Sequence, residues 1–121
     1  MIVYFNRPIK RIAWGGGSHF ITSFHDFLKR KGHDVVFDLV PDIDVIFMFD
    51  PRVSSGHDGA INIYEYKTLN SKVKIIQRIN DTDIARPLDR PWRVNMLLQA
   101  NQIADHTIFI SEWVRDHYID N

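Results

Sequence analysis

The sequence predicts an α/β domain, an open and mostly parallel five-stranded sheet with helices on both faces. Three observations carry that expectation. Short apolar runs alternate with segments of helical period, the pattern of a parallel sheet with crossover helices. The run Val45-Ile46-Phe47-Met48-Phe49 has no polar alternation, so both of its faces should be covered, as in a central parallel strand. A chain of 121 residues, 45% hydrophobic and 25% charged, has the length and composition of one globular domain.

Five runs read as strands in order: Ile2–Phe5, Val35–Leu39, Val45–Phe49, Val73–Arg78 and Thr107–Ser111. Between the first two, Ser18–Lys31 carries Phe20, Ile21, Phe24, Phe27 and Leu28 on one helical stripe. Ser18 suits the N-cap, and Gly32 suits a left-handed exit. Lys29, Arg30 and Lys31 fall in the last turn, where cations offset the helix dipole. A second, less regular helix covers roughly Ile61–Leu69. A third, Trp92–Ala104, has Pro91 suited to its first turn. A fourth follows Ser111. The second and third strands are separated only by Val40–Asp44, short for a helical crossover between parallel neighbours. Those strands should therefore lie apart with an irregular link, or one of them should run antiparallel.

Composition excludes several classes of function. There is no cysteine, so disulfides, thiolate nucleophiles and cysteine-ligated metals are ruled out. Fifteen Lys and Arg balance fifteen Asp and Glu, without the basic surplus of a nucleic-acid binder. No apolar run approaches the ~18 residues of a membrane span. Met1–Phe5 is broken at once by Asn6, Arg7 and Pro8, too short for the apolar core of a signal peptide.

Ligands of open α/β sheets bind beyond the carboxyl ends of the strands, where the strand order reverses. With the first strand central, the loops after strands one and four should flank that crevice. The first loop ends Trp14-Gly15-Gly16-Gly17-Ser18 and feeds a helix N-terminus, whose free amides and dipole favour an anion or a sugar oxygen. A tight turn that lets the helix pack on the sheet explains the same glycines. The second loop, Arg78-Ile79-Asn80-Asp81-Thr82-Asp83-Ile84-Ala85-Arg86-Pro87, sets Asp81 and Asp83 two residues apart. A carboxylate there could accept a hydroxyl proton or hold a sugar hydroxyl, and an Asx-turn explains it equally. Two carboxylates do not define a metal site. Asp50-Pro51-Arg52 lines the same rim or forms a surface ion pair, and Ser111-Glu112 reads as a helix cap. None of the six histidines forms a metal-ligand pair at helical spacing; His19 alone follows the glycine loop. Arg7, Lys10 and Arg11 could meet an anionic substrate or lipid headgroup, or form a solvated loop.

Trp14-Gly15-Gly16-Gly17 ahead of an amphipathic helix, followed by Lys31-Gly32-His33-Asp34-Val35-Val36, resembles the start of a GT-B glycosyltransferase. Ile76-Gln77-Arg78-Ile79-Asn80-Asp81-Thr82-Asp83, followed by Ala104-Asp105-His106-Thr107-Ile108-Phe109-Ile110-Ser111-Glu112-Trp113, resembles its family 4-type branch. The order of the four segments covers nearly the whole chain.

The resemblance implies one Rossmann-like domain over residues 1–121, the N-terminal, acceptor-side half of such an enzyme, with the donor-binding half absent and little transfer expected from this half alone. It implies a nucleotide-sugar donor, a glycan or lipid-linked acceptor, a donor-binding domain in cis or in trans, and no cofactor or catalytic metal. The absence of cysteine fits a reducing, cytoplasmic compartment, and Arg7, Lys10 and Arg11 leave room for peripheral membrane contact. Matched by position, Asp81 would stand near the acceptor hydroxyl as the catalytic residue, supported by Asn80 and Asp83. Gly15, Gly16 and Gly17 would approach the donor phosphates or the acceptor. Arg78 and Arg52 would contact anionic groups. Many relatives place a histidine near the end of the fourth strand; this chain has Gln77-Arg78 there. Two other readings stand beside it: a non-catalytic interaction subunit of a split two-chain transferase, and a nucleotide- or phosphate-binding module.

Overall fold

A computed structural model describes residues 1–9, 16–49, 58–79 and 100–109, with residues 16–19 described by their backbone alone. Five strands occur in chain order: β1 (Ile2–Phe5), β2 (Asp34–Val36), β3 (Val45–Met48), β4 (Lys74–Ile79) and β5 (His106–Phe109). Among the described residues two helices accompany them, α1 (Gly16–Arg30) and α2 (Ala60–Leu69). The strands form one sheet in the order β2-β1-β3-β4-β5, and every pair is parallel. This is an α/β, Rossmann-like open sheet, wholly rather than mostly parallel.

Successive residues of a strand point to opposite sides, and the core divides accordingly. Val3, Phe5 and Phe47 pack with Ile21 and Leu28 of α1. Tyr4, Ile46, Met48 and Ile75 pack with Ile63 of α2. β3 is the pivot: Ile46, Phe47 and Met48 are all buried, which is why its run has no polar alternation.

The α1 side is an aromatic cluster. Phe5 stacks on Phe24 with centroids 5.6 Å apart and meets Phe49 edge-on at 5.1 Å. Phe47 meets Phe24 at 4.9 Å. Edge-on and offset arrangements are the ones favoured by ring quadrupoles. Of the phenylalanines on the expected stripe, Phe20 and Phe24 pack on this cluster, but Phe27 is 45% exposed, with the Lys31 ammonium over its ring. α1 ends as its sequence asks. Gly32 takes φ +87°, the amide of His33 donates to the Leu28 carbonyl (3.0 Å), and that of Gly32 donates to the Lys29 carbonyl (3.1 Å). Its start differs from expectation. The helix begins at Gly16, so Gly16 and Gly17 lie inside its first turn, ahead of the expected cap at Ser18.

β2 and β3 flank β1 on its two sides, so the short connection between them joins strands that are not neighbours. No helix forms in it. Instead Leu39, Val40 and buried Ile43 pack directly against the Tyr4 and Ile46 side. Tyr66 of α2 pins the link, its hydroxyl donating to the Val40 carbonyl (2.8 Å) and accepting from the Ile43 amide (3.1 Å). Asp42 holds the turn at φ 67°, a conformation that aspartate tolerates better than most residues. α2 is apolar on more than one side: Ile63 is buried while Ile61, Tyr64 and Leu69 are exposed, hence its irregular pattern in sequence.

β1 spans the residues expected, and the boundaries of the other strands move by up to three residues; β2 shortens most, ending at Val36 rather than Leu39. Residues 100–101 are helical and turn into β5; the rest of the expected Trp92–Ala104 helix, and the helix after Ser111, lie outside the described residues. Among the described residues, no helix is long and apolar enough to cross a membrane.

At the amino end of the sheet, Asp105 and Ile75 bond reciprocally. The Ile75 amide donates to the Asp105 carboxylate (2.8 Å), and the Asp105 amide donates to the Ile75 carbonyl (2.7 Å). The first of these bonds, with lesser help from Lys67 and Lys74, holds the Asp105 carboxyl below its ordinary pKa against the opposing effect of burial.

Two outcomes follow from this packing. Phe47→Ala removes a ring that is 4% exposed and should cost about 3–5 kcal/mol in urea denaturation. A carboxyl whose folded pKa lies below its unfolded value stabilises above the unfolded value and loses that contribution as pH falls through the folded one. Asp105→Asn should therefore be less stable than the parent at pH 7, with the gap narrower at pH 3, below the ordinary carboxyl value of about 3.9. A gap of the same size at both pH values would refute it.

Candidate functional site

With β1 between β2 and β3, the strand order reverses at the β1/β3 boundary. The crevice of an open parallel sheet opens there, beyond the carboxyl ends of those two strands. The expectation that the loops after strands one and four flank it is thereby corrected. β3 stands between them, and two strand spacings, about 10 Å, separate β1 from β4.

Asn6, immediately after β1 and fully buried, organises this boundary. Its amide N–H donates to the Phe47 carbonyl (3.2 Å). Its side-chain oxygen accepts from the Phe49 amide (2.7 Å), and its side-chain NH₂ donates to the Asp58 carbonyl (3.0 Å). One side chain thus ties the end of β1 to the exit of β3 and to the approach to α2. Next to it, the Tyr4 hydroxyl donates to Asp58 Oδ2 at 2.7 Å. Burial, and then that bond to a carboxylate, push the Tyr4 phenol far above its ordinary range, so it stays a neutral donor. The Gly59 amide donates to Asn62 Oδ1 (3.2 Å) and starts α2.

On the α1 side lies Arg78, near the end of β4. Its guanidinium sits over the Phe20 ring, 4.2 Å from the centroid. Phe20 is four residues past Gly16, about one turn or 6 Å along the helix. Arg78 therefore brings the end of β4 to the first turns of α1 across the intervening β3. Burial, followed by the nearby charge of Arg7, lowers the Arg78 pKa. Arginine stays protonated through such shifts, so two positive charges share this edge near a helix N-terminus. The arrangement can hold an anion.

Of the residues singled out in the sequence, Gly16 and Gly17 begin α1 and Arg78 reaches that helix. Gly15, Arg52, Asn80, Asp81 and Asp83 lie outside the described residues, as do Asp50 and the Ser111-Glu112 pair; His19 is described by its backbone alone. Tyr4, Asn6 and Asp58 were missed. Asn6 carried one signal, a polar amide directly at the end of an apolar strand. Tyr4 read as an ordinary strand aromatic, and Asp58 is 54 residues away from it in sequence. Among the described residues, no group of three His, Asp or Glu could hold a metal ion. A hollow of about 390 Å³ lies at the opposite, amino end, between the turns around Asp42 and Ser71. It is lined by turn residues and is remote from the crevice.

Comparison with protein-family models, with curated proteins and with solved structures found no match for this chain in any of the three.

Asn6→Ala leaves the buried Phe49 amide without its side-chain acceptor and the Asp58 carbonyl without its side-chain donor. It should cost about 2–3 kcal/mol, read from urea midpoints. A loss below about 0.5 kcal/mol, the range of neutral surface changes, would contradict the role given to this side chain.

Proposed function

We propose that the carboxyl edge of this sheet binds an anionic, phosphate-bearing ligand. On this reading the chain is the acceptor-side half of a glycosyltransferase that moves a sugar from a nucleotide-sugar donor to the hydroxyl of a glycan or lipid-linked acceptor. The observation that supports it is Arg78 lying on Phe20, which joins two segments singled out independently in the sequence, the glycine-rich helix start and the end of the fourth strand. Arg7 adds a second positive charge, and the first-turn amides of α1 supply further donors. The donor-binding half, in cis or in trans, and a cytoplasmic location belong to the same proposal. Asp81 remains its candidate for the residue at the acceptor hydroxyl.

The strand order favours a second reading. The order β2-β1-β3-β4-β5 is also that of flavodoxin-like nucleotide binders, whose ligand sits at the same β1/β3 break. Such a module would bind a free nucleotide with no second domain.

Titration of the chain with a nucleoside diphosphate, its sugar conjugate and inorganic phosphate, followed by amide NMR shifts, tests both. Shifts are expected at Arg7, Gly16, Gly17 and Arg78. Arg78→Ala should weaken binding about tenfold or more, the worth of a charge-assisted hydrogen bond. Shifts confined to the amino end of the sheet, or an unchanged affinity in the variant, would overturn the anion reading. Sugar transfer that appears only with a donor-binding domain present would favour the transferase over the stand-alone module.

A further inference from the structure

The anion reading accounts for the α1 side of the crevice and leaves the α2 side without a role. That side holds a half-buried carboxylate, Asp58, at the reversal of strand order. Its place is fixed twice, by the Tyr4 hydroxyl on Oδ2 (2.7 Å) and by the Asn6 amide on its carbonyl (3.0 Å). An ionised carboxylate offers about four lone-pair sites, and the Tyr4 hydroxyl takes one. Among the described residues, no other side-chain hydrogen bond and no ion pair is made to this carboxylate. The Tyr4 side chain is fully buried, so the tether is shielded from water. A carboxylate held in this way is a preorganised acceptor, and it accepts from O–H and N–H donors while repelling anions.

We propose that Asp58 is the hydroxyl-binding residue of this crevice, so that the ligand carries neighbouring hydroxyls beside its anionic end, as a sugar phosphate does. The proposal rests on the anion reading and adds polarity to it. Positive charge from Arg78 and Arg7 stands on the α1 side, and a tethered carboxylate stands on the α2 side. An anion alone would gain nothing from Asp58. A neutral polyol would gain nothing from Arg78. Only a ligand with both kinds of group uses the whole edge.

The test is a ratio of affinities. The chain is titrated with inorganic phosphate and with glucose 1-phosphate, in the parent, in Asp58→Asn and in Tyr4→Phe. The parent should prefer the sugar phosphate about tenfold, the worth of one or two hydrogen bonds to a charged acceptor. Asp58→Asn still accepts from Tyr4, so the tether survives. It should lose most of the preference while binding inorganic phosphate equally well or more tightly, because a repelling charge is gone. Tyr4→Phe leaves the charge but frees the carboxylate, and should lower the preference with phosphate affinity unchanged. It also serves if Asp58→Asn does not fold. A preference that persists in both variants, or a parent that binds the two probes equally, overturns the role of Asp58 alone. A parent that binds neither probe overturns this proposal and the anion reading together.

Discussion

The carboxyl edge of this molecule depends on one pairing, β1 held between β2 and β3. With β1 in that place, the reversal of strand order falls beside it. Asn6, the first residue beyond the strand, is then buried among three backbone segments. A residue in that position needs a side chain that both donates and accepts, since it faces an amide on one side and a carbonyl on the other. Asparagine meets both demands without a charge. Aspartate would set a carboxylate against the Asp58 carbonyl, and serine would be too short to reach across.

The same pairing explains how two charged groups of opposite sign come to share an edge. Neighbouring strand residues diverge to opposite sides. Arg78 shares its side with Phe5 and Phe47 and meets α1, whereas Tyr4 faces the α2 side and meets Asp58. The sheet keeps the arginine and the carboxylate from pairing with each other, and each finds an uncharged partner, a phenylalanine ring and a tyrosine hydroxyl. Direct pairing would have neutralised both. Held apart, neither charge neutralises the other.

The alternation of apolar runs and helical stripes made the five strands, α1 and the class of sheet legible in the sequence. Gly32 at its turn and the fully apolar β3 were equally plain. The strand order was legible only in part. The short stretch between the second and third strands told that they could not be parallel neighbours, yet not that β1 lies between them, because that depends on pairing across the chain. α2 was blurred since Ile61, Tyr64 and Leu69 face outward and break its stripe. Arg78 and the glycines were singled out from their place at element ends. Tyr4 and Asp58 were not, because a hydrogen bond between residues so far apart leaves no mark on spacing or composition.

The helix-free link from β2 to β3 has a consequence for how the chain assembles. Val3 pairs with both Val35 and Val45, so both neighbours of β1 lie within the first 49 residues. Folding slows as the sequence distance between contacting residues grows, and of the four strand pairings Val3 with Val45 spans the most sequence, Val45 with Lys74 the least. A crossover helix in place of the link would widen that longest loop further, so the short link limits the loop that must close before β1 is enclosed on both sides.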